Sequence, residues 1–230
     1  MLVTTDRHRV LVDTGVGCDG SPQPALLLER LRAAGIDPTD IDVVILTHAD
    51  FDHIGGAVDE HGALAFPNAR YVLLREEWAF WAAKPERFRP SPAYSEEFLR
   101  IGREVPERRL TQLRDTLELI EAGAEVVPGI RVLGAPGHTP GCAIVAVSSD
   151  GAQLLFIADL VYNPADIADP DWYSGFDFDP VQVVATRRRV LEQAAREQSL
   201  LMATHVAFPG LGHVVRNGPG WQWKSRASPE

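Results

Sequence analysis

The sequence predicts an α/β fold of stacked mixed β-sheets with helices outside, and three observations predict it. Short strand-like and helical apolar runs alternate along 230 residues. The alternation lacks the regular rhythm of a doubly wound parallel sheet. The composition, 45% hydrophobic and 23% charged, is that of one domain, residues 1–230, large enough to bury its own core.

Taken in order, Arg9 to Asp13 reads as a strand, Ala25 to Ala34 as a helix closed by Gly35, and Asp42 to Leu46 as a short strand buried on both faces. That is a βαβ-like opening. Tyr71 to Leu74 is a further strand and Glu76 to Ala83 a short helix, followed by a polar, proline-bearing stretch. Glu96 to Leu119 is helical in composition and is expected to break near Pro106. Glu125 to Leu133, Ala143 to Ser148 and Gln153 to Ile157 form a β-rich section, with Ser149-Asp150-Gly151 as a hairpin turn. Asn163 to Asp179 reads as a long irregular loop, Pro180 to Gln198 as a helix, and Leu200 to Thr204 as a last buried strand.

Charge and composition exclude several classes. With 22 Lys and Arg against 32 Asp and Glu, the net charge is -10, a surface that repels phosphate backbones and argues against nucleic acid as partner. No window approaches the roughly 18 apolar residues of a membrane span, and Met1 to Val12 alternates like a strand, so the expectation is a cytoplasmic protein without a membrane partner. Cys18 and Cys142 are far apart and outside any Cys-x-x-Cys pair, and are expected to be small buried thiols. Gly15-Val16-Gly17-Cys18-Asp19-Gly20 matches a dinucleotide fingerprint literally, but Pro22 and Pro24 fall where the phosphate-binding helix should run. It reads instead as a glycine-rich loop at a site edge. Arg187-Arg188-Arg189, with Glu192 and Glu197 nearby, reads as a solvated helix face.

The chemistry concentrates after the strand Asp42 to Leu46. In Thr47-His48-Ala49-Asp50-Phe51-Asp52-His53-Ile54-Gly55-Gly56, four candidate ligands fall within six positions. In extended chain His48 and Asp50 point to one side; the turn toward Gly55-Gly56 lets Asp52 and His53 aim at a neighbouring point, which suits two adjacent metals. The bland alternative is a polar loop whose acids cap the next helix. Against it, His138, Asp159 and His205 each sit where a loop leaves a strand, so four strand ends offer His or Asp. His213 reads either as a donor steadying a ligand or as the end of a loop.

These residues resemble the metallo-β-lactamase-fold hydrolases. The likeness rests on Asp13-Thr14-Gly15, the run Thr47 to Gly56, Pro136-Gly137-His138-Thr139-Pro140-Gly141, Asp159 and His205. Phe176-Asp177-Phe178-Asp179-Pro180 and Phe208-Pro209-Gly210-Leu211-Gly212-His213 look like the branch containing methyl parathion hydrolase and lactonase-like enzymes. The resemblance implies an αβ/βα sandwich, here expected to lack the family's first N-terminal strands. It implies two divalent metals, zinc first, with manganese or iron as alternatives near Asp50. One metal falls to His48, His138 and Asp50, the other to Asp52, His53 and His205, with Asp159 bridging. Asp52 and Asp159 are the expected catalytic carboxylates. The expected reaction is attack of a metal-supplied hydroxide on a small ester, lactone or phosphotriester. Tyr162, Trp172, Phe176 and Phe208 are the expected substrate-binding residues. A homodimer is left open.

One departure stands out. The family's first motif is His-x-His-x-Asp-His, and here Asp50 occupies the second position. A similar His-x-Asp-x-Asp-His pattern occurs in nuclease-like domains of DNA-uptake proteins. A thioester hydrolase like glyoxalase II and a metal-poor binding member of the fold are the rival readings.

Overall fold

The computed structural model describes residues 1–18, 25–83 and 94–226. They form two compact units, Met1–Glu121 and Ala122–Glu230. Each carries a mixed sheet and helices.

In the first unit the strands are β1 (Leu2–Thr4), β2 (Arg9–Val12), β3 (Val43–Ile45), β4 (Arg70–Leu74) and β5 (Leu117–Ile120), and they lie in that order across the sheet. β1 pairs antiparallel with β2, and every later pair is parallel. All three residues of β3 are buried, as expected of a central parallel strand covered on both faces. Helix α1 (Leu27–Ala33) makes the crossover from β2 to β3, which is the βαβ opening expected from sequence. It ends where Gly35 takes φ +75, with Gly35 N–H donating to Arg32 O and Ile36 N–H to Leu31 O, a Schellman ending. Helices α2 (Phe51–Ile54), α3 (Arg75–Ala82) and α4 (Glu96–Leu113) complete the unit.

Three expectations fail here. Helix α4 runs through Pro106 without a break, and it ends at Leu113, where a turn leads into strand β5 instead of further helix. Proline removes one hydrogen bond from the helix, but the face made by Ile101, Val105, Leu110 and Leu113 is buried, and each such side chain contributes roughly 1.5–3 kcal/mol. Packing outweighs the missing donor. Cys18 is exposed, unlike Cys142.

In the second unit, β6 (Glu125–Val127), β7 (Ile130–Gly134), β8 (Ala143–Ser149), β9 (Ala152–Phe156), β10 (Leu200–Met202), β11 (Leu211–Asn217) and β12 (Gly220–Ser225) form one sheet in the order β12-β11-β10-β9-β8-β7-β6. Only β9 and β10 pair in parallel, and α5 (Pro164–Ala168) and α6 (Pro180–Glu197) lie between them in the chain. The β8–β9 hairpin turns at Asp150 and Gly151, with φ 49 and 78, as its two-residue loop requires. Asp179 accepts from Gln182 N–H at 3.0 Å and starts α6. A core containing Ile144, Leu155, Leu191, Leu201 and Trp221 holds the sheet and α6 together.

Three further readings are corrected. Residues 163–179 contain α5, started by Asn163 in a reciprocal cap with Asp166. Strands β11 and β12 were not expected at all. Arg187 is fully buried, so the arginine run is no solvated face at that position. No helix of the described residues is long and apolar enough to cross a membrane.

Candidate metal centre

In the first unit the donors leave the carboxyl end of β3. Leu46 N–H still donates to Val72 O at 2.9 Å, and after it the ladder stops. Thr47 N–H donates instead to Asp13 Oδ1 at 2.8 Å, and the other oxygen of Asp13 lies 2.8 Å from His53 Nδ1. Asp13 follows β2 at φ 59, an uncommon conformation for a residue with a side chain. Gly17 explains the glycine-rich loop: a Cβ there would lie 2.2 Å from Gly55 O, so the loop needs glycine to pack on the turn after α2. Gly20, Pro22 and Pro24, which decided the dinucleotide reading, lie outside the described residues.

The four expected donors of this unit are brought together. The His48 and His53 rings are 4.0 Å apart. His48 Nε2 is 4.0 Å from Asp50 Oδ2, and His53 Nε2 is 3.7 Å from Asp52 Oδ2. Asp50 occupies the N-cap position of α2, yet its side chain makes no capping bond. The helix-capping alternative therefore fails for Asp50. Thr47 Oγ1 lies 3.1 Å from His48 Nδ1, so both imidazoles are held through Nδ1 and direct Nε2 toward the carboxylates.

In the second unit β7, β9 and β10 run in one direction, so His138, Asp159 and His205, which follow them, emerge at one edge of the sheet. His138 Nε2 lies 3.6 Å from Asp159 Oδ2, and His205 Nε2 lies 3.3 Å from each Asp159 oxygen. A carboxylate with an imidazole on each flank can bridge two cations. His138 Nδ1 is 2.8 Å from the Tyr162 hydroxyl and 3.2 Å from Asp177 Oδ1. Gly137 permits this loop to seat on α6, since a Cβ there would lie 2.3 Å from Val183 Cα.

The donor chemistry fits divalent metals in both units: imidazole nitrogens and carboxylates, with His48, His53 and His138 oriented through Nδ1 by acids or hydroxyls. Asp13 and Asp177, which do the orienting, lie within the motifs but carry no role legible from sequence. Their signal was faint, because each acts on a histidine about 40 positions away. His213 lies on β11 with Nδ1 3.1 Å from Ser199 O, apart from the donors of its unit.

Beside Tyr162 a cavity of about 510 Å³ opens, lined by Tyr162, Asn163, Trp172, Tyr173 and Phe176 among others. Three of the four expected substrate-binding residues line it; Phe208 does not, and is 94% exposed. The Tyr162 ring stacks on His205 at 5.4 Å, which links the cavity to the donors. Arg187 supports the cavity wall from α6. Its Nε donates to Leu160 O at 2.7 Å and its Nη1 to the carbonyls of Pro170 and Trp172. Burial pushes this guanidinium's pKa down, opposed by the charges of Asp166, Asp177 and Tyr162.

Comparison with known proteins agrees with this geometry. Residues 1–205 match the family model of the metallo-β-lactamase superfamily. An N-acyl homoserine lactonase of Bacillus thuringiensis is 26% identical over 225 residues, covering 89% of this chain and 79% of the relative. A probable metallo-hydrolase of Mycobacterium tuberculosis is 30% identical over 192 residues, covering 71% and 56%. Among solved structures, AidC, a dizinc quorum-quenching lactonase in complex with a homoserine product, superposes with TM-score 0.92 at 30% identity, covering 100% of this chain and 79% of its own. The hydrolase AbOPH shares the fold, with TM-score 0.86 at 24% identity, covering 100% and 79%. The chain belongs to the metallo-β-lactamase superfamily and is a lactonase-like metallo-hydrolase within it.

Proposed function

We propose that the protein hydrolyses a small lactone or a related ester or phosphotriester, using two divalent metals, zinc in the first instance. The observation that carries the reading is Asp159 flanked by the His138 and His205 imidazoles, beside a cavity walled by aromatic rings. The dizinc lactonase AidC and the N-acyl homoserine lactonases support the substrate class. In this reading His48, Asp50, Asp52, His53, His138, Asp159 and His205 are the ligands. Bound divalent metals would polarise the scissile oxygen and acidify the attacking water.

The chain's own residues supply the rest. Asp13 and Asp177 hold His53 and His138 so that Nε2 carries the lone pair for the metal. The one Nδ1–H of His138 is shared between Asp177 Oδ1 and the Tyr162 oxygen, and the phenol's own proton can be donated to an oxygen of the substrate. Trp172, Tyr173 and Phe176 offer apolar surface to its acyl or aryl part. No side chain need act as a nucleophile.

The test is elemental analysis of protein purified without added metal, followed by turnover of a panel of acyl homoserine lactones, aryl esters, a glutathione thioester and an aryl phosphotriester. Two equivalents of metal with lactone turnover is the expected outcome. Metal with thioester turnover alone would favour a glyoxalase II-like enzyme, and a metal-free protein that binds lactones without turning them over would overturn the proposal.

A further inference from the structure

Glu77 is a carboxylate that the proposed chemistry does not use, yet it is fully buried in α3. An ionised carboxylate in an apolar core is costly unless its hydrogen bonds are met, so a position needed only for packing is better filled by a neutral side chain. Its Oε1 accepts from two donors. One is the indole Nε1–H of Trp81 at 2.9 Å, one helical turn further on, and Trp81 is itself 3% exposed. The other is the backbone N–H of Ala49 at 3.0 Å.

Ala49 is the residue between His48 and Asp50. Its side chain belongs to the core cluster of the unit, so the two flanking side chains are turned the other way, toward the donor set. The backbone here has run past the end of the β3 ladder. Two carboxylates replace the ladder: Asp13 takes the N–H of Thr47 and Glu77 takes that of Ala49, before α2 begins with His53 N–H donating to Asp50 O at 2.9 Å. Asp13 also touches His53, and Glu77 joins the backbone of Ala49 to the indole of Trp81. Trp81 thus anchors the Glu77 carboxylate, and Glu77 anchors Ala49.

We infer that Glu77 is a positioning residue for the metal centre, fixing the turn that presents His48 and Asp50. The inference rests on the metal reading above. It predicts that Glu77 controls metal affinity in the folded protein, and that an acceptor oxygen at the right reach is what matters.

The experiment compares the full chain with Glu77→Ala, Glu77→Asp and Glu77→Gln, each stripped of metal and titrated with zinc against a chromogenic chelator. Thermal melting of the metal-free proteins is followed in parallel. Glu77→Gln keeps an oxygen that can accept from both donors, and is expected to hold zinc within a few-fold of the unmodified chain. Glu77→Ala and Glu77→Asp, which lose the acceptor or shorten its reach, are expected to lose about 10- to 100-fold in affinity for the more weakly held zinc. If Glu77→Ala does not fold, Glu77→Asp carries the test. Unchanged zinc affinity in folded Glu77→Asp, with only the melting temperature lowered, would make Glu77 a purely structural residue and overturn the inference while leaving the metal reading intact. An unmodified chain that takes up no zinc would overturn both.

Discussion

Asp13 and His53 stand 40 positions apart in the chain, yet Asp13 Oδ2 lies 2.8 Å from His53 Nδ1. The same carboxylate takes the backbone N–H and the hydroxyl of Thr47, so one side chain after β2 ties down both ends of the His48–His53 segment after β3. An acid on Nδ1 fixes the tautomer and raises the basicity of Nε2. Asp13→Ala is therefore expected to weaken zinc binding about 10- to 100-fold, the range for such outer carboxylates, as read by chelator competition. Zinc affinity equal to that of the unmodified chain would show that His53 does not depend on this contact.

Asp50 should make the two metal affinities unequal. Donors sharing a four-coordinate zinc with bonds of about 2.0–2.1 Å lie roughly 3.3 Å apart. His48 Nε2 and Asp50 Oδ2 are 4.0 Å apart, against 3.3 Å for His205 and Asp159. The carboxylate must close that gap or leave its metal short of a protein ligand, and a carboxylate also favours harder cations than imidazole does. Zinc titration should show two steps, with Asp50→His tightening the weaker one and manganese competing better in the unmodified chain. A single tight step of two zinc ions, unaltered by the substitution, would mean that Asp50 serves as an ordinary ligand.

What was legible in the sequence follows the range over which each signal acts. The βαβ opening, the Asp150-Gly151 hairpin and the Asp179-Pro180 helix start are local patterns, and each is present. The seven ligand candidates were legible because strand ends followed by His or Asp are local too. Glu77, Asp13 and Asp177 act across 28, 40 and 39 positions, and no periodicity encodes such pairs. Pro106 misled in the opposite sense: a strong local breaker was overridden by the buried face of α4. Strand β11 was hidden because its half-polar run His213 to Asn217 follows a loop rich in Pro and Gly, and its alternation of buried and exposed residues covers only a few positions.

Arg187 is expected to govern the cavity without touching the metals. Its guanidinium joins the carbonyl after the Asp159 turn, at Leu160, to those of Pro170 and Trp172 at the far side of α5. Arg187→Met would leave these acceptors unmatched and its acidic neighbours Asp166 and Asp177 without a counter-charge. Breaking a buried charged contact of this kind costs about 3–5 kcal/mol, readable in denaturant unfolding. In the folded fraction KM for lactone should rise several-fold with metal content unchanged. A normal KM beside lowered stability would confine Arg187 to a structural role.

Tyr162 separates the metal-holding function from the substrate-handling one. Its hydroxyl is 2.8 Å from His138 Nδ1, but Asp177 Oδ1 lies 3.2 Å from the same nitrogen, so losing the phenol leaves His138 with an acidic partner. Tyr162→Phe should therefore keep its full complement of metal. The ring would still stack on His205 and wall the cavity, so KM for an apolar substrate should change little. What disappears is the proton donor that the proposed reaction assigns to the substrate oxygen, and removal of a donor to developing negative charge costs about 100-fold in kcat. Asp177→Asn should behave in the reverse manner, losing metal first, because neither the amide nor the phenol left on Nδ1 raises the basicity of Nε2 as a carboxylate does. Measured together by elemental analysis and steady-state kinetics, the two variants should fall on different axes. A Tyr162→Phe protein that loses metal as readily as Asp177→Asn would show that the phenol serves to hold His138, and an unaltered kcat would remove it from the reaction.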